Sequence, residues 1–229
     1  MKRNGLKILY LGDLEPGSTS LQRYRALQAL GHSVLPLQAF PVRLSFAQRA
    51  GAWLYRHGWN AAGFHSVAIN RLILHAGLGA GFDVLWMDKA VYVQAATIRA
   101  LKEGRPGLTV IGYSPDHMAG RHNRSAAFME HAQLYDLFVT TKSFDVPWLK
   151  AIGCHRVLFQ GNAYDPGTHR PAKPSLERPG GVGFIGTYEN ARAADIAFLA
   201  NHGISVVVFG NGWQRASLPS AVTVNGRAV

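Results

Sequence analysis

Short apolar segments alternate with helical patterns along residues 1–165, and this alternation limits the folds that the chain can adopt. The apolar segments lack a strict in–out pattern, which is typical of strands buried on both faces of a parallel sheet. Candidate strands cover residues 7–12, 33–37, 83–87, 109–113, 137–141 and 157–159. Repeated strand–helix–strand units favour a right-handed, doubly wound sheet. We therefore predict an α/β fold, with a Rossmann-like domain over residues 1–165.

Helical patterns fill the intervals between these strands. Ser18 or Thr19 can cap the first helix, which Gly31 ends. Residues 44–78 can hold two helices broken near 58–63, and further helices are predicted over 93–102, 126–134 and 144–151. Ligands of such sheets bind beyond the carboxyl ends of the strands, so the loops that follow strands are the candidate functional segments.

The strand–helix pattern begins again after residues 166–181, a segment with four prolines and three glycines. This composition is typical of a linker between domains. Residues 182–229 contain a strand, a helix, a second strand at 206–209 and a short strand at 222–224. Such a segment is shorter than the usual domain of ~100–150 residues. We expect it to be the start of a second Rossmann-like domain that is cut short at residue 229.

Composition excludes several classes of protein. The chain is 48% hydrophobic and 16% charged, as expected for a globular protein. No apolar run reaches the ~18–20 residues of a membrane span, and the N-terminus makes a poor signal peptide, so we expect a cytoplasmic protein. The single Cys154 excludes an internal disulfide and is more typical of a small buried residue than of a nucleophile. No histidine or carboxylate spacing indicates a metal site, and no cofactor is predicted.

The net charge of +11 favours anionic partners. The basic residues lie in small scattered clusters without zinc-finger spacing, so no specific nucleic-acid binding is predicted. An aromatic-rich stretch over residues 53–64 is flanked by Arg49, Arg56 and His57. It is either an exposed helix that contacts an acceptor or a membrane, or a helix that packs in the core; we expect the core-packing helix.

The loop after the first strand is the first candidate site. Gly17, Ser18 and Thr19 open the first helix, where backbone N–H groups and two hydroxyls can hold a phosphate or a sugar hydroxyl. Arg23 and Arg25 lie inside the helix and could face the same anion. The strict dinucleotide and P-loop motifs are absent, and an ordinary capped helix after a loop is the alternative.

Asp116 and His117 follow the fourth strand and form the second candidate site. Either side chain could act as a general base or could orient a sugar hydroxyl. An ordinary turn explains the same residues equally well. The polar residues 121–124 extend this loop.

The third candidate site follows the first strand of the second segment. Gly186 allows close backbone approach, Thr187 opens the next helix, and Arg192 lies one turn inside it, within reach of a diphosphate. A tight turn with a solvated Arg192 is the alternative. A further strand end at residues 209–213 places Trp213 either in a base or sugar pocket or over a turn.

Several long segments in order along the chain resemble the CgeB-like, spore-maturation type of glycosyltransferase. They are GDLEPGSTSLQRYRALQALG, DVLWMDKAVYV, YSPDHM, YDLFVTTKSFDVPWLKAIG, NAYDP and VGFIGTYENARAADIAFLANHGISVVVFGNGW. The resemblance implies a GT-B fold, in which two Rossmann-like domains flank the active site. It also implies transfer of a sugar from a UDP- or GDP-linked donor to an unknown acceptor, a glycan or a protein, without a bound metal.

The resemblance also suggests roles for residues. Gly17, Ser18 and Thr19 would lie under the transferred sugar or its phosphates, and Asp116 or His117 would lie on the acceptor side. Gly186, Thr187 and Arg192 would face the diphosphate in an incomplete donor-binding domain over residues 182–229.

Two features separate this chain from the family pattern. His117 occupies a position where an acidic residue is expected, and the acidic residues that hold sugar and ribose would follow residue 229. We therefore expect little or no turnover from these 229 residues. A non-catalytic sugar- or nucleotide-binding module is the alternative, and an oxidoreductase is disfavoured because its fingerprint is absent.

Overall fold

The computed structural model describes residues 5–39, 46–56, 64–79, 81–121, 123–170 and 181–225. The chain divides into two compact units, Met1–His169 and Arg170–Val229, and each is described by itself. Most of the predicted linker, residues 171–180, lies outside the described residues.

The first unit contains a six-stranded parallel sheet. Its strands are β1 (Lys7–Gly12), β2 (Ser33–Gln38), β3 (Val84–Asp88), β4 (Thr109–Ser114), β5 (Leu137–Thr140) and β6 (Val157–Phe159), in the order β2-β1-β3-β4-β5-β6. All neighbouring strands are parallel. The predicted fold class is therefore confirmed. The strand order reverses between β1 and β3, and ligands of doubly wound sheets bind outside the carboxyl ends at such a point.

Helices connect the strands of the first unit. They are α1 (Thr19–Ala29), α2 (Phe46–Arg56), α3 (Phe64–Gly79), α4 (Ala95–Gly104), α5 (Ala126–His131) and α6 (Val146–Ala151), with 3-10 turns at Ala132–Leu134 and Ser143–Asp145. The two helices predicted within residues 44–78 are confirmed, while the break predicted at 58–63 lies outside the described residues. Ser18 is the cap of α1, because its Oγ accepts a hydrogen bond from the Leu21 N–H at 3.0 Å.

The core of the first unit explains why its strands lack an alternating pattern. Leu9, Leu85 and Val110 are buried in the main core cluster, whereas Ile8 and Tyr10 are buried in a separate cluster. Successive side chains of a strand point to opposite faces, so both faces of β1 are covered. Apolar residues at every position of a strand are the consequence.

One side chain of the aromatic-rich stretch differs from the prediction. Trp53 remains 55% exposed on α2, so the prediction of core packing is wrong for this residue. The reason is helical phase, because the buried face of α2 passes through Gly51, two residues earlier. Trp59 and the side chains of Tyr55 and Phe64 lie outside the described residues. No helix in the described parts of the chain is long and apolar enough to cross a membrane.

The second unit contains a three-stranded parallel sheet. Its elements are β7 (Val182–Ile185), α7 (Asn190–Asn201), β8 (Val206–Phe209), a 3-10 turn at Trp213–Arg215 and β9 (Val222–Asn225), with the strand order β7-β8-β9. Its core is built from Ile196, Val206, Val208 and Trp213. Since Trp213 is fully buried, it packs over the turn and does not line a pocket.

Candidate functional site

The carboxyl ends of β1, β3, β4 and β5 lie at one edge of the first unit's sheet. The strand register pairs Asp88 with Tyr113 and Ser114 with Thr140. The loops that follow these strands carry the predicted residues of the first unit. The topology thus brings the first and second candidate sites to the same edge.

Local backbone contacts occupy part of the loop after β1. The Ser18 hydroxyl caps α1 and also donates to the Asp13 carbonyl at 2.6 Å. Gly17 has a φ of 86°, a left-handed conformation that favours glycine. The Ser18 hydroxyl is therefore committed to the loop. Gly17 and Thr19 are exposed, although Thr19 Oγ1 accepts a hydrogen bond from Arg23 Nη2 at 3.3 Å.

Asp88 organises a network at the point where the strand order reverses. The Tyr10 hydroxyl donates to Asp88 Oδ2 at 2.7 Å, and Arg23 Nε donates to the same oxygen at 2.6 Å. Arg23 also places its guanidinium 4.2 Å from the centre of the Tyr113 ring. The guanidinium that was predicted to face an anion is thus paired with a buried carboxylate.

The protonation states of this network follow from burial and charge. Burial, reinforced by the charge of Asp88, raises the pKa of the Tyr10 phenol, so Tyr10 acts as a neutral donor. Burial works to lower the pKa of Arg23, but the hydrogen bond and charge of Asp88 outweigh it and the pKa rises. The network therefore contains one neutral hydrogen-bond donor, Tyr10, and one fixed ion pair, Arg23 with Asp88.

His117 is held by a carboxylate that the sequence analysis did not select. The His117 Nδ1 lies 2.5 Å from Asp145 Oδ1, and Asp145 Oδ2 accepts the Met118 backbone N–H at 2.7 Å. Asp145 is fully buried, whereas the His117 side chain is 50% exposed. When Nδ1 donates to the carboxylate, the neutral ring presents Nε2 as its unprotonated nitrogen. The result is an imidazole of fixed orientation at the edge of the sheet.

Two further contacts fix the position of the His117 ring and backbone. The Phe144 ring meets it edge-on, with ring centres 5.2 Å apart. The Asn123 side-chain amide donates to the His117 carbonyl at 2.9 Å. His122, which was predicted to extend this loop, lies outside the described residues.

Asp116 has a different partner from its neighbour His117. Its carboxylate pairs with the Lys89 ammonium, and its backbone N–H donates to Ser114 Oγ at 3.1 Å. Among the described residues other than glycine, only Lys89 has a positive φ, at 49°. The two residues predicted as one acid–base pair therefore have separate environments.

The turn after β7 forms the third candidate site. The Gly186 N–H donates to the Phe209 carbonyl at 2.9 Å, and its carbonyl accepts from Trp213 Nε1 at 2.7 Å. Arg192 bonds the Thr187 carbonyl at 2.9 Å and lies 3.0 Å from Glu189 Oε1. Glu189 makes no side-chain cap to α7. Arg192 therefore lies beside an uncapped helix N-terminus, and its present partner is an exposed carboxylate.

Cys154 adds little chemistry to the candidate sites. Burial raises the pKa of the Cys154 thiol to about 12, and its Sγ donates to the Ala132 carbonyl at 3.3 Å, so it is a packed thiol. The described residues contain no group of three or more histidine, cysteine or acidic side chains that could hold a metal ion.

Sequence reasoning missed Asp88 and Asp145. Asp88 ends an apolar strand, and a single acidic residue at the carboxyl end of a buried strand is a usable signal. Asp145 had no comparable signal, because it lies 28 residues from His117.

Comparison with known proteins shows the fold. No protein-family model and no curated protein sequence matches the chain. Anabaena Alr3699/HepE, solved with UDP-glucose, matches 98% of this chain over 70% of its own length, with 12% identity and a TM-score of 0.54. The match to Arabidopsis thaliana UGT89C1, solved with UDP-L-rhamnose, covers 99% of this chain and 70% of that protein, with 12% identity and a TM-score of 0.55.

A third solved structure agrees with these two. The glycotransferase of kitacinnamycin matches 96% of this chain over 70% of its own length, with 17% identity and a TM-score of 0.51. Identities this low carry information about the fold alone. The chain has a glycosyltransferase fold.

Proposed function

We propose that the protein is a glycosyltransferase that moves a sugar from a UDP- or GDP-linked donor to an acceptor hydroxyl, of the CgeB-like type that its segments resemble. The glycosyltransferase fold supports this proposal, and two of the solved neighbours bind UDP-sugars. The acceptor is a glycan or a protein.

The observation that carries the proposal is the His117–Asp145 pair. A buried carboxylate holds Nδ1 of a half-exposed imidazole, and Nε2 is then the ring nitrogen that can accept a proton. In the proposed reaction Nε2 takes the proton of the acceptor hydroxyl as its oxygen attacks the anomeric carbon. The bond from that carbon to the diphosphate breaks, and the nucleoside diphosphate leaves with the electron pair. General base catalysis of this kind contributes about 10²–10⁴-fold.

The turn after β7 is the proposed diphosphate site. Gly186 and Thr187 precede the N-terminus of α7, and helix N-termini attract phosphates. Arg192 would exchange Glu189 for a phosphate oxygen. Both side chains of that ion pair are exposed, so the exchange costs little.

The loop after β1 is proposed to contact the transferred sugar or its phosphates. Gly17 and Thr19 would make these contacts, and Ser18 would hold the loop. In this proposal Arg23 fixes Asp88 and the start of α1, and Asp116 with Lys89 orients the loop that carries His117. Arg23 and Asp116 are thus positioning residues.

Nucleotide binding is the first test, measured by calorimetry with UDP, GDP and NAD. We expect UDP or GDP to bind and NAD not to bind. Arg192→Gln should weaken nucleotide binding about tenfold, as expected for one lost charge-assisted contact. Arg215→Gln, at an exposed arginine of the same unit, should leave it unchanged. Tight NAD binding, or equal affinities for the two variants, would contradict the proposed donor site.

Glu189→Gln tests whether Glu189 competes with the nucleotide for Arg192. Removing the carboxylate that competes for Arg192 should strengthen UDP or GDP binding, because the arginine then has no anion to exchange. A weaker affinity in Glu189→Gln would indicate that Glu189 helps to build the site.

Release of UDP or GDP from nucleotide sugars tests the catalytic part. Where turnover is measured, His117→Gln should lower it by about 10²–10⁴-fold without changing nucleotide affinity. The matched control is His155→Gln, at an exposed histidine of the same unit. Nucleotide binding without any release would agree with the expectation of low turnover and would favour the non-catalytic binding module.

A further inference from the structure

Helix α2 presents an apolar and basic stripe to solvent. Phe46, Arg49, Ala50 and Trp53 recur at helical spacing, and at 3.6 residues per turn they fall within an arc of about 100°. All four are exposed, Phe46 at 81% and Trp53 at 55%. We call these four residues the α2 stripe.

The packing of the first unit leaves the α2 stripe on the solvent-facing side of the helix. Gly51 lies on the opposite side of the helix and is buried, and α2 packs against α3. An exposed aromatic side chain forgoes part of the free energy that its full burial would contribute. Two such side chains on one helix face indicate a surface that is used for binding.

The neighbouring helix α3 has the same character. Its inner face buries Ile69 and Ile73, while Leu72 and Leu78 remain exposed and Arg71 lies beside them. Apolar side chains interleaved with arginine thus occur on both helices of this part of the fold.

Charge identifies the partner. Residues 16–82 contain no aspartate or glutamate and six arginines, of which Arg23 is paired with Asp88. This segment has no carboxylate to pair with a basic partner. Its aromatic and arginine side chains suit the surface of an anionic bilayer, which has an apolar region below a layer of phosphates. Aromatic rings enter the boundary between headgroups and acyl chains, and arginines bind lipid phosphates.

We propose that the α2 stripe docks the protein on the surface of an anionic lipid bilayer. Phe46 and Trp53 enter the headgroup region, Arg49 binds lipid phosphate, and α2 lies parallel to the membrane plane. This proposal rests on exposure and charge and does not depend on glycosyl transfer.

Vesicle sedimentation tests the proposal. The full chain should bind vesicles of phosphatidylcholine with phosphatidylglycerol at least about tenfold more strongly than phosphatidylcholine alone, and added salt should weaken the binding. Phe46→Ala/Trp53→Ala should reduce the binding at least about tenfold, because even one inserted aromatic contributes roughly that factor. The control Phe198→Ala removes an aromatic that is 62% exposed on α7 and should change nothing.

The outcomes separate the stripe from general attraction by the +11 charge. Equal binding by wild type and the double variant would overturn the proposal, as would equal binding to both vesicle types. A dimer in light scattering without lipid, abolished by the double variant, would assign the stripe to a second copy of the chain and would also overturn it.

A local probe gives a second readout. Cys154 is fully buried, so a cysteine introduced by Ala50→Cys can be labelled selectively with an environment-sensitive dye. The dye emission should shift to shorter wavelength with anionic vesicles. An unchanged spectrum while the protein sediments with the vesicles would place the contact elsewhere and overturn the proposal.

Discussion

At the scale of single residues, Gly12 is a position in the first unit where the backbone comes very close to neighbouring side chains. A Cβ at this position would lie 2.2 Å from Ser20 Oγ and 2.7 Å from the Tyr10 ring. Both neighbours are buried and held by the Tyr10 hydroxyl, which contacts Ser20 Oγ at 2.9 Å. Neither side chain can move aside without breaking the network around Asp88.

Gly12→Ala should therefore destabilise the protein by about 1–3 kcal/mol, the usual cost of overpacking. The measurement is the free energy of unfolding from urea titrations. Gly107→Ala is the control, since a Cβ there meets nothing within 4 Å. Similar stabilities of the two variants would contradict the close packing at Gly12.

The Asp88–Arg23 pair supports a second prediction at this scale. Asp88→Asn leaves Arg23 without its counter-charge, and removing one partner of a buried pair costs about 3–5 kcal/mol. We expect the lower end of that range, because Arg23 is partly exposed. In Glu130→Gln the lost pair with Arg99 is exposed, so the free energy of unfolding should fall by no more than about 1 kcal/mol. Equal losses would show that Asp88 contributes no more than a surface charge.

At the scale of elements, two serines cap helices in different surroundings. Ser18 Oγ accepts from the Leu21 N–H at 3.0 Å in a half-buried loop. Ser125 Oγ accepts from the Phe128 N–H at 2.9 Å and donates to the Val91 carbonyl, and it is buried. The second cap therefore also satisfies a carbonyl of another loop.

Ser18→Ala should cost about 1 kcal/mol, the typical value of an N-cap. Ser125→Ala should cost about 1–3 kcal/mol more, because the Val91 carbonyl loses its partner away from water. Both values come from urea unfolding, with Ser125→Thr as the variant that retains a hydroxyl. Equal costs for the two alanine variants would rule out a structural role for the Ser125–Val91 bond.

At the scale of the whole molecule, buried His131 couples the stability of the fold to pH. Its Nδ1 faces the Val93 carbonyl at 2.6 Å and its Nε2 lies 3.0 Å from the Tyr135 hydroxyl. Burial lowers the pKa of His131 from 6.5 to about 4, although the Val93 hydrogen bond opposes the shift. Between these values the unfolded chain binds the proton and the folded chain does not.

The contribution of His131 is therefore fully present above pH 6.5 and is lost as the pH falls towards about 4. One such proton makes the free energy of unfolding change by about 1.4 kcal/mol per pH unit. His131→Gln should remove this slope from urea titrations across that range, whereas the exposed control His155→Gln should keep it. An unchanged slope in His131→Gln would show that other groups set the acid sensitivity.

In both units, local sequence patterns predict the order of strands and helices better than the residue at which each strand ends. The order of strands and helices was predictable, because strands of a parallel sheet are apolar on both faces and the first helix carries a capping serine in its sequence. Strand ends differed by about one residue, as at Asp88, since the pairing partner decides where a strand stops.

The amino-acid sequence by itself determined the α/β class, the strands and helices, and the sheet edge at which the candidate residues gather. Only the tertiary structure decided that Asp145 holds His117, that Asp88 holds Arg23, and that Trp213 is buried while Trp53 is exposed. The physical reason is distance along the chain. Periodicity and capping act within a few residues, whereas these partners lie 28 and 65 residues apart and meet only when parallel strands bring their carboxyl ends together.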